Sequence, residues 1–319
     1  MPLREKALIA RIRRAAAKGA SNRAAFGIGD DCALLRVPPA QDLLVTTDFS
    51  LEGIHFRRDW HPPESVGHRC LARGLSDIAA MGGKPRAALL SLAVPAKLPQ
   101  SWVDRFFRGL LRLGDRFGVS LLGGDTSQSK AGVLADIVVL GTVPLGKAFL
   151  RSGARPGDRI YVTGELGAAS ATLNLLFSGR DLRAADYRAH FYPEPRIAVA
   201  GFLREKHLAS AMIDLSDGLS TDLAHICEES GVGAQVRSET IPKGSIGKSR
   251  QEIDLGFALD GGEDYELLFC SPRSKRVPRR IAGVKVTEIG VITREQRLRL
   301  QRNEKTFTLK PQGWEHFKR

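Results

Sequence analysis

Along this chain, short apolar runs that read as strands take turns with longer stretches whose apolar positions recur at helical spacing. The run Leu43–Asp48 (L-L-V-T-T-D) predicts a strand, and Glu64–Ala80 a helix with small or apolar residues along one side. Ala87–Val94 predicts a second strand and Trp102–Phe117 an amphipathic helix. Val119–Leu122 and Val133–Val143 follow as strands, the latter apolar enough to lie inside a sheet. Leu150–Asp158 is polar and punctuated by Gly and Pro, which marks a crossing between domains. Beyond it, Arg159–Thr163 predicts a strand, and Leu166–Phe177, Pro193–Lys206 and Asp217–Ser230 predict helices. Tyr265–Cys270 and Val284–Ile292 are late strands, and the Arg-rich opening forms a helix with Leu8, Ile9, Ile12 and Ala16 inward. The alternation marks an α/β protein of two halves, 1–148 and 149–319.

Composition narrows this picture. A chain of 319 residues that is 43% hydrophobic buries a real core, so disorder is excluded and two ordinary domains fit. The most apolar stretch, Ile78–Ala96, is broken by Lys84, Pro85 and Arg86, so no membrane span is expected. Cys32, Cys70, Cys227 and Cys270 form no C-x-x-C pair; they read as reduced core thiols of a cytoplasmic protein. A net charge of +13 suits a polyanionic partner, either nucleic acid or a phosphorylated small molecule. An aromatic fraction of 7%, with no helix-turn-helix or RNP-type motif, argues against nucleic acid. The basic run Arg273–Lys285 reads as solvated surface, as do Lys84, Arg86 and Lys147.

The candidate chemistry is acidic. Aspartates gather at six places: G-I-G-D-D (27–31), T-T-D (46–48) at a strand end, S-D (76–77) in a helix, G-G-D-T (123–126) after a strand, I-D-L-S-D-G (213–218) before a helix, and G-G-E-D-Y (261–265) before a strand. Any one of these is a common turn former or helix cap. Six together call for positive compensation, and a hard cation such as Mg²⁺ is the natural partner of oxygen-only ligands near phosphates. The pairs Gly123-Gly124 and Gly261-Gly262 would let backbone N–H groups approach an anion. Neither a P-loop motif nor the protein-kinase motif set is present.

In order, G-I-G-D-D-C-A-L-L, T-T-D-x-x-x-x-G-x-H-F, S-D-I-A-A-M-G, G-G-D-T, R-S-G-A-R-P-G-D-x-I-Y-V-T-G, I-D-L-S-D-G-L and G-G-E-D-Y-E-L-L-F resemble the thiamine-monophosphate kinase family. That family belongs with aminoimidazole ribonucleotide synthetase and selenophosphate synthetase. The resemblance extends from about Leu8 to Gly313-Trp-Glu-His-Phe317. It implies ATP-dependent phosphorylation of thiamine monophosphate to thiamine diphosphate. It also implies an α/β fold with an N-terminal ATP-binding domain whose sheet pairs across a homodimer, followed by a C-terminal α/β domain.

By the same resemblance, Asp31, Thr46, Thr47, Asp48, Asp77, Asp125, Asp214 and Asp217 are Mg²⁺ ligands. Gly124, Asp125, Arg151 and Ser216 contact the nucleotide, and His55, Glu263 and Trp314 contact thiamine monophosphate. Asp30 is kept outside the ligand set. An acceptor phosphate monoester has a second pKa of about 6 and is already an anion at neutral pH, so no general base is required. The obstacle is repulsion, about 4 kcal/mol for each pair of unit charges 4 Å apart at an effective dielectric of 20. Metal ions screening it, with direct in-line transfer and no phosphoenzyme, are the expected mechanism. The first cysteine falls after the double aspartate and the chain ends Phe317-Lys-Arg319. These features separate it from selenophosphate synthetase and from the hydrogenase-maturation relative. A Mg²⁺/nucleotide sensor without turnover is the remaining alternative.

Overall fold

Alternating inward and outward positions build a four-stranded sheet in the first half of the chain. The computed structural model describes residues 5–19, 24–26 and 34–314, so Asp30, Asp31 and Cys32 lie outside the described residues. In order come α1 (Glu5–Gly19), the short antiparallel pair β1 (Ala24–Phe26) and β2 (Leu34–Leu35), β3 (Gln41–Leu51), α2 (Pro63–Ala80), β4 (Lys84–Pro95), α3 (Gln100–Phe117), β5 (Ser120–Ser129) and β6 (Leu134–Pro144). The sheet order is β3-β6-β4-β5, with β4 and β5 parallel and the other neighbours antiparallel.

Helix α2 lies on the face that carries Thr46 and Val139: a Cβ on Gly74 would come within 2.5 Å of Val139. Along β3, Leu44 and Ser50 are buried on that side. The opposite face stays open, with Leu43 45%, Val45 61% and Phe49 54% exposed. Helix α3 buries Val103, Phe106, Phe107, Leu110 and Leu113, the stripe its amphipathic pattern predicts.

Four expectations change here. β3 continues to Leu51, so Thr46–Asp48 sit inside a strand and not at its end. β5 runs through Gly123–Thr126 to Ser129 instead of stopping at Leu122, because its ladder with β4 continues to Pro95 past a bulge at Leu122. Ladder hydrogen bonds override the turn preference of G-G-D. Ile12 and Ala16 of α1 are buried, but Ile9 is exposed. Arg86, half-buried at a bulge of β4, donates to Thr142 Oγ1 at 2.9 Å and is not a free surface charge.

The second unit comprises Ala79–Gly82 and the chain from Lys147 onward, the first taking the residues up to Ile78 and Gly83–Gly146. Its elements are β7 (Arg159–Thr163), α4 (Ala168–Phe177), α5 (Arg188–Phe191), α6 (Ile197–Glu205), β8 (Ala211–Asp214), α7 (Leu219–Ser230), β9 (Gly233–Arg237), β10 (Ser245–Ile246), β11 (Gln251–Glu252), α8 (Leu255–Asp260), β12 (Leu267–Ser271), β13 (Arg280–Ile281), β14 (Val284–Thr293), β15 (Leu298–Arg302) and β16 (Lys305–Thr308). The main sheet has the order β16-β15-β9-β14-β7-β12-β8, with β13 paired to β14.

The near-continuous apolar runs of β7 and β12 follow from burial on both faces. Ile160, Val162, Leu268 and Cys270 join a core with Leu219, Leu223 and Ile226 of α7. Tyr161, Leu267 and Phe269 face Val199, Ala200 and Leu203 of α6. Tyr161 and Phe269 stack, with centroids 5.3 Å apart. Cys70, Cys227 and Cys270 are buried free thiols. No helix among the described residues is long and apolar enough to cross a membrane.

Candidate functional site

In the first unit, strand alternation decides which candidates meet. Thr46 Oγ1 of β3 hydrogen-bonds Asp77 Oδ2 of α2, and Asp48 shares a side-chain hydrogen bond with the same aspartate. Burial, then repulsion from Asp77, raises the Asp48 carboxyl from 3.8 to about 7, against the pull of Arg73. Arg73, four residues before Asp77 on α2, donates from Nη1 to the Phe49 carbonyl at 2.8 Å. It therefore lies beside the carboxyl pair and ties it to the end of β3.

Thr47 points the other way, donating to Asp136 Oδ1 of β6 at 2.6 Å. Ser91 pairs with both Asp136 and Asp125 across the sheet, so these two aspartates share one transverse row on the open face. Asp125 is exposed and accepts the Thr126 N–H at 2.8 Å. Gly124, at φ 143°, has no room for a side chain, since a Cβ would lie 1.8 Å from the Leu90 carbonyl oxygen. Its glycine character is thus demanded by the neighbouring strand. His55 follows β3 in a tight turn, its Nδ1 accepting the Leu51 N–H at 3.0 Å.

In the second unit, the turn after β8 gathers five candidates. Asp214, at the strand end, is buried; Ser216 and Asp217 follow in the turn leading to α7. The Ser216 carbonyl accepts the Glu263 N–H at 2.8 Å, and the Asp217 carbonyl accepts the Trp314 N–H at 3.0 Å. One turn thereby sets the expected nucleotide, metal and thiamine residues side by side. Trp314 is 55% exposed, so it does not close a core.

Gly262 allows the close approach here, for a Cβ on it would meet the Ser216 carbonyl at 2.5 Å. Glu263 and Tyr265 hold positive φ (68° and 51°), conformations costly for side-chain-bearing residues. They are tied down by the Tyr265 N–H to Leu215 O bond at 2.9 Å and by Asp264 Oδ2, which accepts the Gly167 N–H at 2.7 Å. Arg151 is exposed, and its charge reaches Asp222.

Six participants were not singled out in the sequence: Arg73, Asp136, Arg196, Asp222, His225 and Glu266. Asp222 is buried and accepts the Gly218 N–H at 3.0 Å and the Asp217 N–H at 3.2 Å. Burial, then Asp217, raises its carboxyl to about 7. Ligand atoms of Asp217, Asp222 and His225 lie within 4.8 Å of one another, a grouping able to hold a metal ion. Their i, i+3 and i, i+5 spacing into α7 was the available signal.

Comparison with known proteins agrees with these features. Residues 29–143 match the N-terminal domain, and 155–303 the C-terminal domain, of the AIR synthase related proteins. The thiamine-monophosphate kinase of Escherichia coli (strain K12) is 39% identical over 304 residues, 92% of each chain. A crystal structure of thiamine-monophosphate kinase from Stenotrophomonas maltophilia K279a superposes with a TM-score of 0.80 at 33% identity, covering 94% of this chain and 98% of that one. AaThiL, solved with AMPPCP and TMP, gives a TM-score of 0.78 at 32% identity over 99% of both chains. Identity at this level across nearly the full length of both chains means that the protein belongs to the thiamine-monophosphate kinase family.

Proposed function

We propose that this protein transfers the γ-phosphoryl group of ATP directly to the phosphate of thiamine monophosphate, giving thiamine diphosphate in the last step of its biosynthesis. The observation that carries this reading is the full-length kinship with kinases of that name, one of them complexed with AMPPCP and TMP. The half-buried Asp48–Asp77 pair adds physical support. Touching oxygen donors, one with its carboxyl held up to about 7 by burial and by the neighbouring Asp77, fit a hard divalent cation.

In this reading Thr46, Thr47, Asp48, Asp77 and Asp125 would hold Mg²⁺ in the first unit, with Asp31 outside the described residues. Asp214 and Asp217 would do so in the second. Bound Mg²⁺ would offset the charge of the two phosphate groups that must meet. Gly124, Asp125, Arg151 and Ser216 would orient the nucleotide, while His55, Glu263 and Trp314 would hold the thiamine ester. A cationic thiazolium over the exposed Trp314 ring is a favourable cation–π pair. An acceptor phosphate ionised at neutral pH leaves no proton for a side chain to remove.

Incubation with ATP, MgCl₂ and thiamine monophosphate, followed by chromatography of the thiamine esters, tests the reading. Thiamine diphosphate is expected only when Mg²⁺ is present. ATP binding without product would mean a different acceptor. A second expectation concerns protons: adding Mg²⁺ to nucleotide-free protein at pH 7 displaces the proton shared at Asp48. Titration calorimetry in buffers of different ionisation enthalpy would then give different apparent heats.

The open face of the first sheet supports a homodimer, since Leu43, Val45 and Phe49 form an apolar surface of the kind proteins cover with a partner. Sedimentation is expected to give twice the 34.8 kDa of one chain. Buried unpaired thiols fit a cytoplasmic location.

A further inference from the structure

The first turn of α7 carries more than its own helix. Its leading amides are served by Asp222, which accepts the Asp217 and Gly218 N–H groups, so the hydroxyls of Ser220 and Thr221 are not needed as caps. Both turn instead to the segment that follows β16. Ser220 Oγ accepts the Gln312 N–H at 3.2 Å, Thr221 Oγ1 accepts the Gly313 N–H at 3.0 Å, and the Asp217 carbonyl accepts the Trp314 N–H at 3.0 Å. One helix start thus holds three consecutive main-chain amides. The approach is close enough to dictate a residue type: a Cβ on Gly313 would lie 2.1 Å from the Asp217 carbonyl oxygen.

The same turn also holds the loop that precedes Glu263. Ser220 is fully buried, and its one proton goes to Asp260 Oδ1 at 2.6 Å, which leaves a lone pair for Gln312. Asp260 ends α8, and Gly261-Gly262-Glu263 follow it directly. Upstream, the Leu309 N–H donates to the Leu298 carbonyl at 2.9 Å and the Leu309 side chain enters the core, so little slack remains before Gln312. We propose that Ser220, Thr221 and Asp260 are positioning residues that dock 312–314 on α7 and couple it to the Glu263 loop, so that Trp314 and Glu263 are presented to the acceptor substrate from one fixed frame. The identity of that substrate as thiamine monophosphate rests on the reading above; the docking does not. What the hydroxyls fix is main chain, whatever the Trp314 ring itself touches.

The arrangement bears on which phosphate ester is accepted. A metal ion attracts every phosphate, those of ATP included, and its attraction falls off slowly with position. An aromatic ring acts on a cation only at close range, so it discriminates only where its backbone is held. Anchoring residue 314 and the Glu263 loop to one helix start rewards an ester whose organic part meets both. In a site that must handle two phosphorylated substrates, this favours one without adding affinity for the other.

Amide hydrogen exchange on the ligand-free full chain tests the docking. The Gln312, Gly313 and Trp314 amides are expected to exchange slowly in the wild type. Thr221→Val keeps the shape and removes the acceptor, and should speed the Gly313 amide about tenfold. Thr221→Ser keeps the hydroxyl and should restore slow exchange. Asp260→Ala should speed the Gln312 amide, which Asp260 reaches through Ser220. Rapid exchange at Gln312 and Gly313 in the wild type, or no response to Thr221→Val, would overturn the docking. An unchanged Gln312 amide in Asp260→Ala would remove Asp260 from it.

Kinetics supply the second arm. Thr221→Val is expected to raise KM for thiamine monophosphate about tenfold, with KM for ATP changed less than about twofold, kcat changed less than KM, and Thr221→Ser close to wild type. Gly313→Ala, which forces the segment off the Asp217 carbonyl, should raise the same KM further. The ATP value is the control, because a general disturbance of the turn carrying Ser216 and Asp217 would move it as well. Equal rises in both KM values, no rescue by Ser, or an unchanged KM in Gly313→Ala would overturn the positioning role. Should Thr221→Val fail to fold, the wild-type exchange and Gly313→Ala still decide. A wild-type protein that makes no thiamine diphosphate would remove the assigned substrate while exchange still reports the docking.

Discussion

Asp48→Asn is expected to abolish thiamine diphosphate formation and at the same time to raise the melting temperature of the metal-free protein. The two effects share one cause. Asp48 is surrounded by too little positive charge: burial and the Asp77 carboxyl outweigh Arg73, and its own carboxyl is held up to about 7. The folded state therefore binds a proton between about pH 4 and 7 that the unfolded chain has released, so stability falls as pH rises through that window. Above it, the charged carboxylate costs on the order of 4 kcal/mol.

An asparagine keeps the shape, can donate to Asp77, and carries no charge. At pH 8 with EDTA, thermal unfolding should show the variant several degrees more stable than wild type. The gain should shrink at pH 5.5, where Asp48 is already protonated. Adding MgCl₂ should reverse the order, since only the wild type keeps the full ligand set and binding stabilises the folded form. Turnover should drop about a thousandfold, the scale seen when one fixed electrostatic contact to a reacting centre is lost. A variant that is inactive but also less stable in EDTA would count against the raised Asp48 carboxyl. One that stays active would remove Asp48 from the metal set.

The sequence made some of this visible and hid the rest for identifiable reasons. β7 appeared with both of its ends because R-I-Y-V-T is buried on both faces, leaving no polar interruption to blur it. α2 and α3 were legible from helical spacing alone. β15 (L-R-L-Q-R) and β16 (K-T-F-T) were not, since short half-polar strands at a sheet margin look like loops until a neighbour supplies the ladder. The aspartate motifs located most of the candidate site, but not which members meet. Thr47 and Asp136 are 89 residues apart, and Arg196 and Glu266 are 70 apart; only the fold makes them partners. Strand alternation also turns Thr46 and Thr47, adjacent in the chain, to opposite faces of the sheet.

The Arg196–Glu266 pair carries the second large expectation. Glu266 lies between the strained Glu263–Tyr265 segment and β12, and its side chain is only 5% exposed. Arg196 Nε donates to Oε2 at 2.6 Å and Nη2 to Oε1, a two-pronged contact, while Thr163 Oγ1 adds a bond at 2.5 Å. Burial opposes the arginine's charge, but the bond to Glu266 and its attraction prevail and raise the Arg196 pKa. Removing the cation alone would leave a buried carboxylate without compensation, a loss of about 3–5 kcal/mol. Arg196→Met should accordingly lower the melting temperature by about ten degrees. Arg196→Met with Glu266→Met, which removes both charges, should recover much of that loss. Activity should not follow stability. The double variant also loses the side-chain contact that fixes Glu266, the residue that directly follows the positive-φ Glu263–Tyr265 segment. KM for thiamine monophosphate should therefore stay high although the protein is stable again, because the buried pair sets the loop that presents Glu263 as well as supporting the fold. Recovery of both together would reduce the pair to a purely structural contact.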